Sequence, residues 1–257
     1  MGRRRNSGRR RRGSFGFLYK LLSTLVICAV IIVALTLFFR VGNVVVTGQQ
    51  RYTAEEIAAA TGVEIGDNLY LMDKNSIADA LLEQLPYIET LRISRKLPDT
   101  LMVEVQECGR PMAVVQEGST WLISPRGKIV EQTNVLAARN YGVIDGCELL
   151  APSVGTKLAL ATEYASQQSS LLALLEALEK AGELENVDAI HLDDLSMLTM
   201  DYIGRFTVQM PYEADYERKL RALHQIIYES GAIQDNMTGT FDMRREDGKV
   251  NLIQNVR

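Results

Sequence analysis

Histidine, cysteine and tryptophan are scarce in this chain: two, three and one among 257 residues. With His191 and His224 the only histidines, no His-x-x-x-His or Cys-x-x-Cys spacing exists to hold a metal. A Gly-x-Ser-x-Gly nucleophile turn and a Gly-x-x-x-x-Gly-Lys phosphate loop are also missing. Asp193 and Asp194 are adjacent carboxylates, but neighbours on a strand point to opposite faces. They read as a loop or strand end, not as an acid–base pair. No constellation gives a reaction class, so no catalytic residue, cofactor or metal is expected. The cysteine density argues against a disulfide scaffold. Cys28 lies in an apolar run, and Cys108 and Cys147 could pair only if their Cα atoms came within about 7 Å.

Charge is missing in three places. Residues 1–40 contain nine Lys or Arg and no acid. The remainder holds 19 basic and 32 acidic residues, a balance of −13 hidden by the overall −4. An acidic body lacks the basic footprint that nucleic acid requires. The third gap is Leu21 to Phe39, nineteen residues with no charge at all, bounded by Lys20 and Arg40. A helix of that length is about 28 Å long, close to the roughly 30 Å hydrocarbon core of a bilayer. It shows no polar stripe of the kind a core helix carries. A cleaved signal peptide would have a shorter apolar region and a small-residue site, whereas this run ends Phe38-Phe39-Arg40-Val41. A retained membrane anchor is therefore expected. Arg9, Arg10, Arg11, Arg12 and Lys20, with the arginines before them, set its orientation: basic flanks stay in the cytoplasm. Everything after the span is then exported. The arginine-rich tail also has the chemistry to touch anionic lipid.

The expected organisation is a basic tail over 1–20, a transmembrane helix over 21–40, a first exported domain over 41–107 and a second over 108–257. In the first, Val44–Val46 form a β-branched strand that turns at Thr47-Gly48. Thr53-Ala54-Glu55-Glu56 fits a capping box that starts a helix ending near Gly62. Asp73 caps a second helix carrying Ile77, Ala80, Leu81 and Leu85 on one face, stopped by Pro86. A strand from Ile88 to Leu97, a turn at Pro98-Asp99-Thr100 and the alternating Leu101, Val103 and Val105 complete a β-α-α-β-β order.

These residues resemble a known family. GQQRYTAEEIAAATGVEIGDNLYLMD followed by LPYIETLRISRKLPDTLMVEVQE is similar to the POTRA domain of FtsQ/DivIB bacterial cell-division proteins. The resemblance is carried by Gly48 with Tyr52, by Gly66-Asn68-Leu69, by Pro86-Tyr87-Ile88-Glu89 and by Arg95 to Leu101, in order and just after a span. It implies that this domain recruits other division proteins, with Tyr52, Arg95, Lys96 and Pro98 as surface candidates.

The second domain reads as mixed α/β with an extended sheet, an α+β fold overall. Ala113–Val115 and Trp121–Ile123 pair around Gly118-Ser119, with Trp121 packing the hairpin or core. Ser124–Lys128 turns into Ile129-Val130, and Tyr141–Asp145 is a further strand. Tyr164, Gln168, Leu171, Leu175 and Leu178 mark a helix stopped by Gly182. Val187–Leu192 is a strand, and a hairpin turns at Ile203-Gly204. A second helix carries Tyr216, Leu220, Leu223 and Ile227, and two strands follow, Thr240–Arg244 and Val250–Ile253. IDGC, LDDLSMLTM, GRFTVQM, YERKLRALHQII and TFDMRREDGKVNL resemble the family's β-domain. The chain stops at Arg257, so no tail function of longer members is expected.

The resemblance implies a bitopic scaffold at the division septum. Its partners would be small single-pass coiled-coil division proteins of the FtsL, DivIC and FtsB type, and septal wall-synthesis proteins. In the family the last strands recruit the coiled-coil partners, and by motif the binding positions fall on Arg244, Arg245 and Gly248, with Phe241 and Met243 as neighbouring candidates. Addition of a partner segment to an open sheet edge would supply backbone hydrogen bonds. Two rivals are a membrane-anchored enzyme acting on the cell wall and a POTRA transport component. The second would carry a membrane barrel, and no run of ten-residue lipid-facing strands follows here.

Overall fold

A computed structural model describes residues 15–231, 233–234, 236–245 and 250–254. Helix α1 (Phe15–Phe38) begins six residues before the uncharged run, so Lys20 lies inside it. Its stretch Gly16–Thr36 is long and apolar enough to cross a membrane and none of it is buried in the protein. It fits a transmembrane anchor. Arg9, Arg10, Arg11 and Arg12 lie outside the described residues.

The first domain follows the expected order. Strand β1 (Asn43–Thr47), helices α2 (Ala54–Ala60) and α3 (Lys74–Gln84), and strands β2 (Ile88–Lys96) and β3 (Thr100–Glu107) build a sheet ordered β1-β3-β2. β1 runs parallel to β3 and β2 antiparallel to it. The capping box forms: the Glu56 amide donates to Thr53 Oγ1 at 3.2 Å, and the Thr53 amide to Glu56 Oε2 at 2.8 Å. Ile57, Leu69, Leu81, Ile88, Leu101 and Val103 are fully buried and form one core between helices and sheet. Gly48 has φ +88°, and an added Cβ would lie 2.0 Å from the carbonyl oxygen of Val105. The turn after β1 therefore demands glycine on two counts.

The second domain is built on a nine-stranded sheet. Its strands are β4 (Met112–Gln116), β5 (Ser119–Ile123), β6 (Ile129–Asn134), β7 (Val143–Asp145), β8 (Val187–His191), β9 (Met197–Tyr202), β10 (Phe206–Pro211), β11 (Gly239–Asp242) and β12 (Asn251–Gln254). Their spatial order is β12-β11-β10-β9-β8-β7-β4-β5-β6. Helix α4 (Ala165–Ala181) connects the parallel pair β7 and β8, and α5 (Tyr216–His224) lies between the parallel pair β10 and β11. Such parallel crossovers need a helix, and each helix covers the sheet it crosses. Leu171, Leu174, Leu175 and Leu178 of α4 and Leu220 and Leu223 of α5 pack with Leu198, Met200, Val208 and Phe241 of the sheet. Trp121 is half-buried against this core, as a hairpin-packing residue should be.

On β9 and β10 the opposite face of the sheet is mostly polar. Strands β9 and β10 alternate strictly between buried and half-exposed positions, so their second face is wetted. Cys108 and Cys147 are both free. Burial pushes their thiols up, to about 12 and about 11.

The two domains share a small core. Tyr87 packs with Ala113, Leu122, Val130 and Ala138, and Tyr52 borders the cluster. The Tyr87 hydroxyl donates to Glu131 Oε2 at 2.5 Å, and the Arg51 guanidinium lies 3.8 Å over the Tyr87 ring. Lys128 Nζ donates to the carbonyls of Leu82 and Ile88 at 3.3 and 3.2 Å.

Candidate functional site

The last strands define one end of the large sheet. β11 is not the edge: β12 pairs with it from Gly239↔Gln254 to Asp242↔Asn251 and takes the outer place. This corrects the sequence expectation for two candidates. Phe241 is fully buried, with its ring 4.9 Å from that of Phe206, and Met243 is buried beside it. Their side chains fill the core. On β12 every side chain is exposed or half-exposed, and Ile253 is 59% exposed. Nothing in the sequence told the two strands apart, because either could have been outermost.

Arg244 and Arg245 follow β11 on the surface. Arg244 grips Asp242 with both arms of its guanidinium, at 2.9 and 2.7 Å, and its amide donates to the same carboxylate at 3.1 Å. This contact holds the Asp242 carboxyl down at about 2. Lys219 Nζ, from α5, donates to the carbonyls of Met243 at 2.5 Å and Arg245 at 3.3 Å. The helix thereby fixes the chain end of β11. Around these groups lies a groove of about 530 Å³ lined by Tyr212, Asp215, Arg218, Lys219, Arg244 and Val250, among others. Gly248 lies outside the described residues.

The candidates of the first domain are not gathered in one patch. Tyr52 sits at the domain junction, 6.3 Å from the Tyr87 ring, and its hydroxyl accepts the Tyr87 amide. Arg95 is half-buried and donates to the Met72 carbonyl at 2.8 Å. Lys96 and Pro98 are exposed at the turn between β2 and β3.

Two titratable clusters were not legible in the sequence. On the polar face, His191 Nδ1 lies 2.6 Å from Asp145 and Nε2 3.2 Å from Asp201, which also accepts from Thr207 at 2.9 Å. A ladder thus crosses β7, β8, β9 and β10. Burial lowers the His191 pKa, but the hydrogen bonds to Asp201 and Asp145 outweigh it and the net shift is upward. Asp145, His191 and Asp193 bring potential metal-ligand atoms within 4.8 Å of one another. Both His191 nitrogens are already engaged by carboxylates. Asp193 and Asp194 follow the end of β8 in a loop, as read from the sequence. On the other face, Glu183 accepts from Tyr202 at 2.5 Å, Asn186 at 2.6 Å and His224 at 2.9 Å. Burial alone would raise its pKa, yet these three donors bring it below the ordinary value.

Comparison with known proteins gives two consecutive matches. The FtsQ-type POTRA domain matches residues 39–107, and the C-terminal domain of the cell division protein FtsQ/DivIB matches residues 113–244. The chain belongs to the FtsQ/DivIB family. The cell division protein FtsQ of Syntrophotalea carbinolica is 28% identical over 192 residues, 74% of this chain and 65% of that protein. FtsQ of Anaeromyxobacter sp. is 28% identical over 190 residues, 73% of this chain and 62% of that protein. DivIB of Clostridium acetobutylicum is 25% identical over 133 residues, 51% of this chain and 53% of that protein. The chain thus spans under two thirds of the length of each of these three. Membership in the FtsQ/DivIB family puts the chain among cell-division proteins. The family match over the second domain ends at Arg244, just short of the outermost strand β12.

Proposed function

We propose that this protein is a membrane-anchored scaffold of the division septum, with its N-terminus in the cytoplasm and both folded domains outside. The observation that carries the reading is the outer edge of β12: a sheet end with no further strand beside it among the described residues, bearing the exposed Ile253. An unpaired edge offers a row of backbone donors and acceptors, and an extended partner segment adds to it as another strand. Arg244 and Arg245 stand beside this edge and give the contact its charge selectivity. The partner expected is a small single-pass coiled-coil division protein with an acidic extended segment, and septal wall-synthesis proteins join the same assembly. Confinement to the bilayer by α1 raises the effective concentration of such partners. The role is binding and not catalysis. The His191 and Glu183 clusters are each occupied in cross-bracing strands and helices, which supports that assignment.

Co-purification from membranes tests the proposal. Ile253→Asp, and separately Arg244→Glu with Arg245→Glu, are expected to cut recovery of the coiled-coil partner at least tenfold while the thermal melt stays within a few degrees. Undiminished recovery with both variants would rule out this edge as the docking site.

A further inference from the structure

We propose that residues 64–72 of the first domain enter the lipid interface beside α1, so that the domain touches the bilayer as well as being tethered to it. The inference rests on α1 spanning the membrane and goes beyond the docking role at β12. The loop is built onto the end of the helix. Asn68 Nδ2 donates to the carbonyl of Thr36 at 2.9 Å, and the Leu69 amide to that of Phe39 at 3.0 Å. Arg40 and Asn68 form an antiparallel bridge, and the Phe39 and Tyr70 rings meet edge to face at 5.0 Å. A groove of about 310 Å³ runs between helix and loop, lined by Ile32, Leu35, Thr36, Asn68, Tyr70 and Leu71. Ile32 lies eight residues before Arg40, about 12 Å down the helix axis. The interfacial zone on each side of the hydrocarbon is only about 5–8 Å deep. A groove walled by Ile32 on one side and Leu71 on the other therefore opens at acyl-chain depth.

The loop's composition suits that location. Leu71 is 78% exposed and Ile65 81%, a large apolar surface for a folded domain to leave in water. Tyr70 has an apolar ring with a polar tip, the chemistry that favours membrane interfaces. The turn after β2 reaches the same end of the domain, because Asp99 accepts the amides of Gly42 and Asn43, and it presents the half-exposed Leu97. Arg40 and Lys96 are exposed nearby at the level of phospholipid headgroups. Glu64 and Asp67 are on the loop too, with Asp67 Oδ2 accepting the Glu64 amide. With both signs present, apolar contact drives the insertion and neutral phosphatidylcholine is sufficient.

The test uses the full chain in phosphatidylcholine vesicles, with Cys28→Ser, Cys108→Ala and Cys147→Ala as background and a polarity-sensitive label on Leu71→Cys, Ile32→Cys or Glu117→Cys. All three positions are exposed on the protein, so labelling leaves the packing intact. Shallow nitroxide lipids are expected to quench the labels at 71 and 32 several-fold more than the label at 117. Quenching at 32 with residue 71 as dark to the nitroxide as residue 117 would overturn the inference while leaving the anchor in place. The groove would then be left for a partner's membrane helix. Absence of quenching at 32 would remove the anchor and the inference together.

Discussion

Gly48 and His191 illustrate how single residues constrain this fold. At Gly48 the left-handed φ and the Val105 carbonyl 2.0 Å from an added Cβ both forbid a side chain. Gly48→Ala is expected to lower the stability of the first domain by about 2 kcal/mol or more, read from urea denaturation followed at domain-specific amide exchange. The sequence marked Gly48 as a turn, but the nearby carbonyl belongs to β3, some sixty residues on, and only pairing brings it close. His191 makes a pH-dependent contribution. Its folded pKa lies above the ordinary value of 6.5, so the contact with Asp145 and Asp201 stabilises fully below that value. The contribution is lost as pH rises through the folded pKa. The melting temperature of the native protein is therefore expected to fall more steeply from mildly acidic to mildly basic pH than that of His191→Gln. Parallel curves for the two proteins would show that the ladder carries no pH-linked stability.

Local chemistry determined most of the individual elements. The capping box at Thr53, the stop at Gly182 and the hairpin at Ile203-Gly204 all rest on contacts within a few residues, and all were readable. The hairpin between β4 and β5 turns through Glu117 and Gly118, at φ +50° and +77°. Two consecutive left-handed residues make this the hairpin turn that Asn-Gly favours. Glu117→Asn is expected to stabilise the second domain, seen as a small rise in melting temperature. A decrease would mean that the Glu117 side chain has a role its exposed position does not reveal. Pairing order was not readable at this scale. β11 and β12 are equal in length, and the outer place of β12 follows from how α5 returns the chain beside β10. That arrangement buries Phe241 and Met243, and among the docking candidates it leaves Arg244 and Arg245 at the surface.

At the scale of the whole molecule, the anchor, the POTRA domain and the sheet domain are linked by contacts at both junctions. Lys128 donates to two carbonyls of the first domain, and burial lowers its pKa. Lys128→Met is expected to leave each domain folded but to broaden the distance between spin labels placed one on each domain, and to speed amide exchange around Ile88. Unchanged distances would mean that the Tyr87 cluster alone fixes the junction. Sequence by itself determined what depends on neighbours along the chain: the uncharged span, the turns and caps, the β-α-α-β-β order and the family motifs. Tertiary structure alone decided which strand became the outer edge, which carboxylates surround His191 and how the 64–72 loop meets the helix end. Those features join residues tens of positions apart, and their energies depend on burial and strand order, which the periodicity of a single segment does not encode.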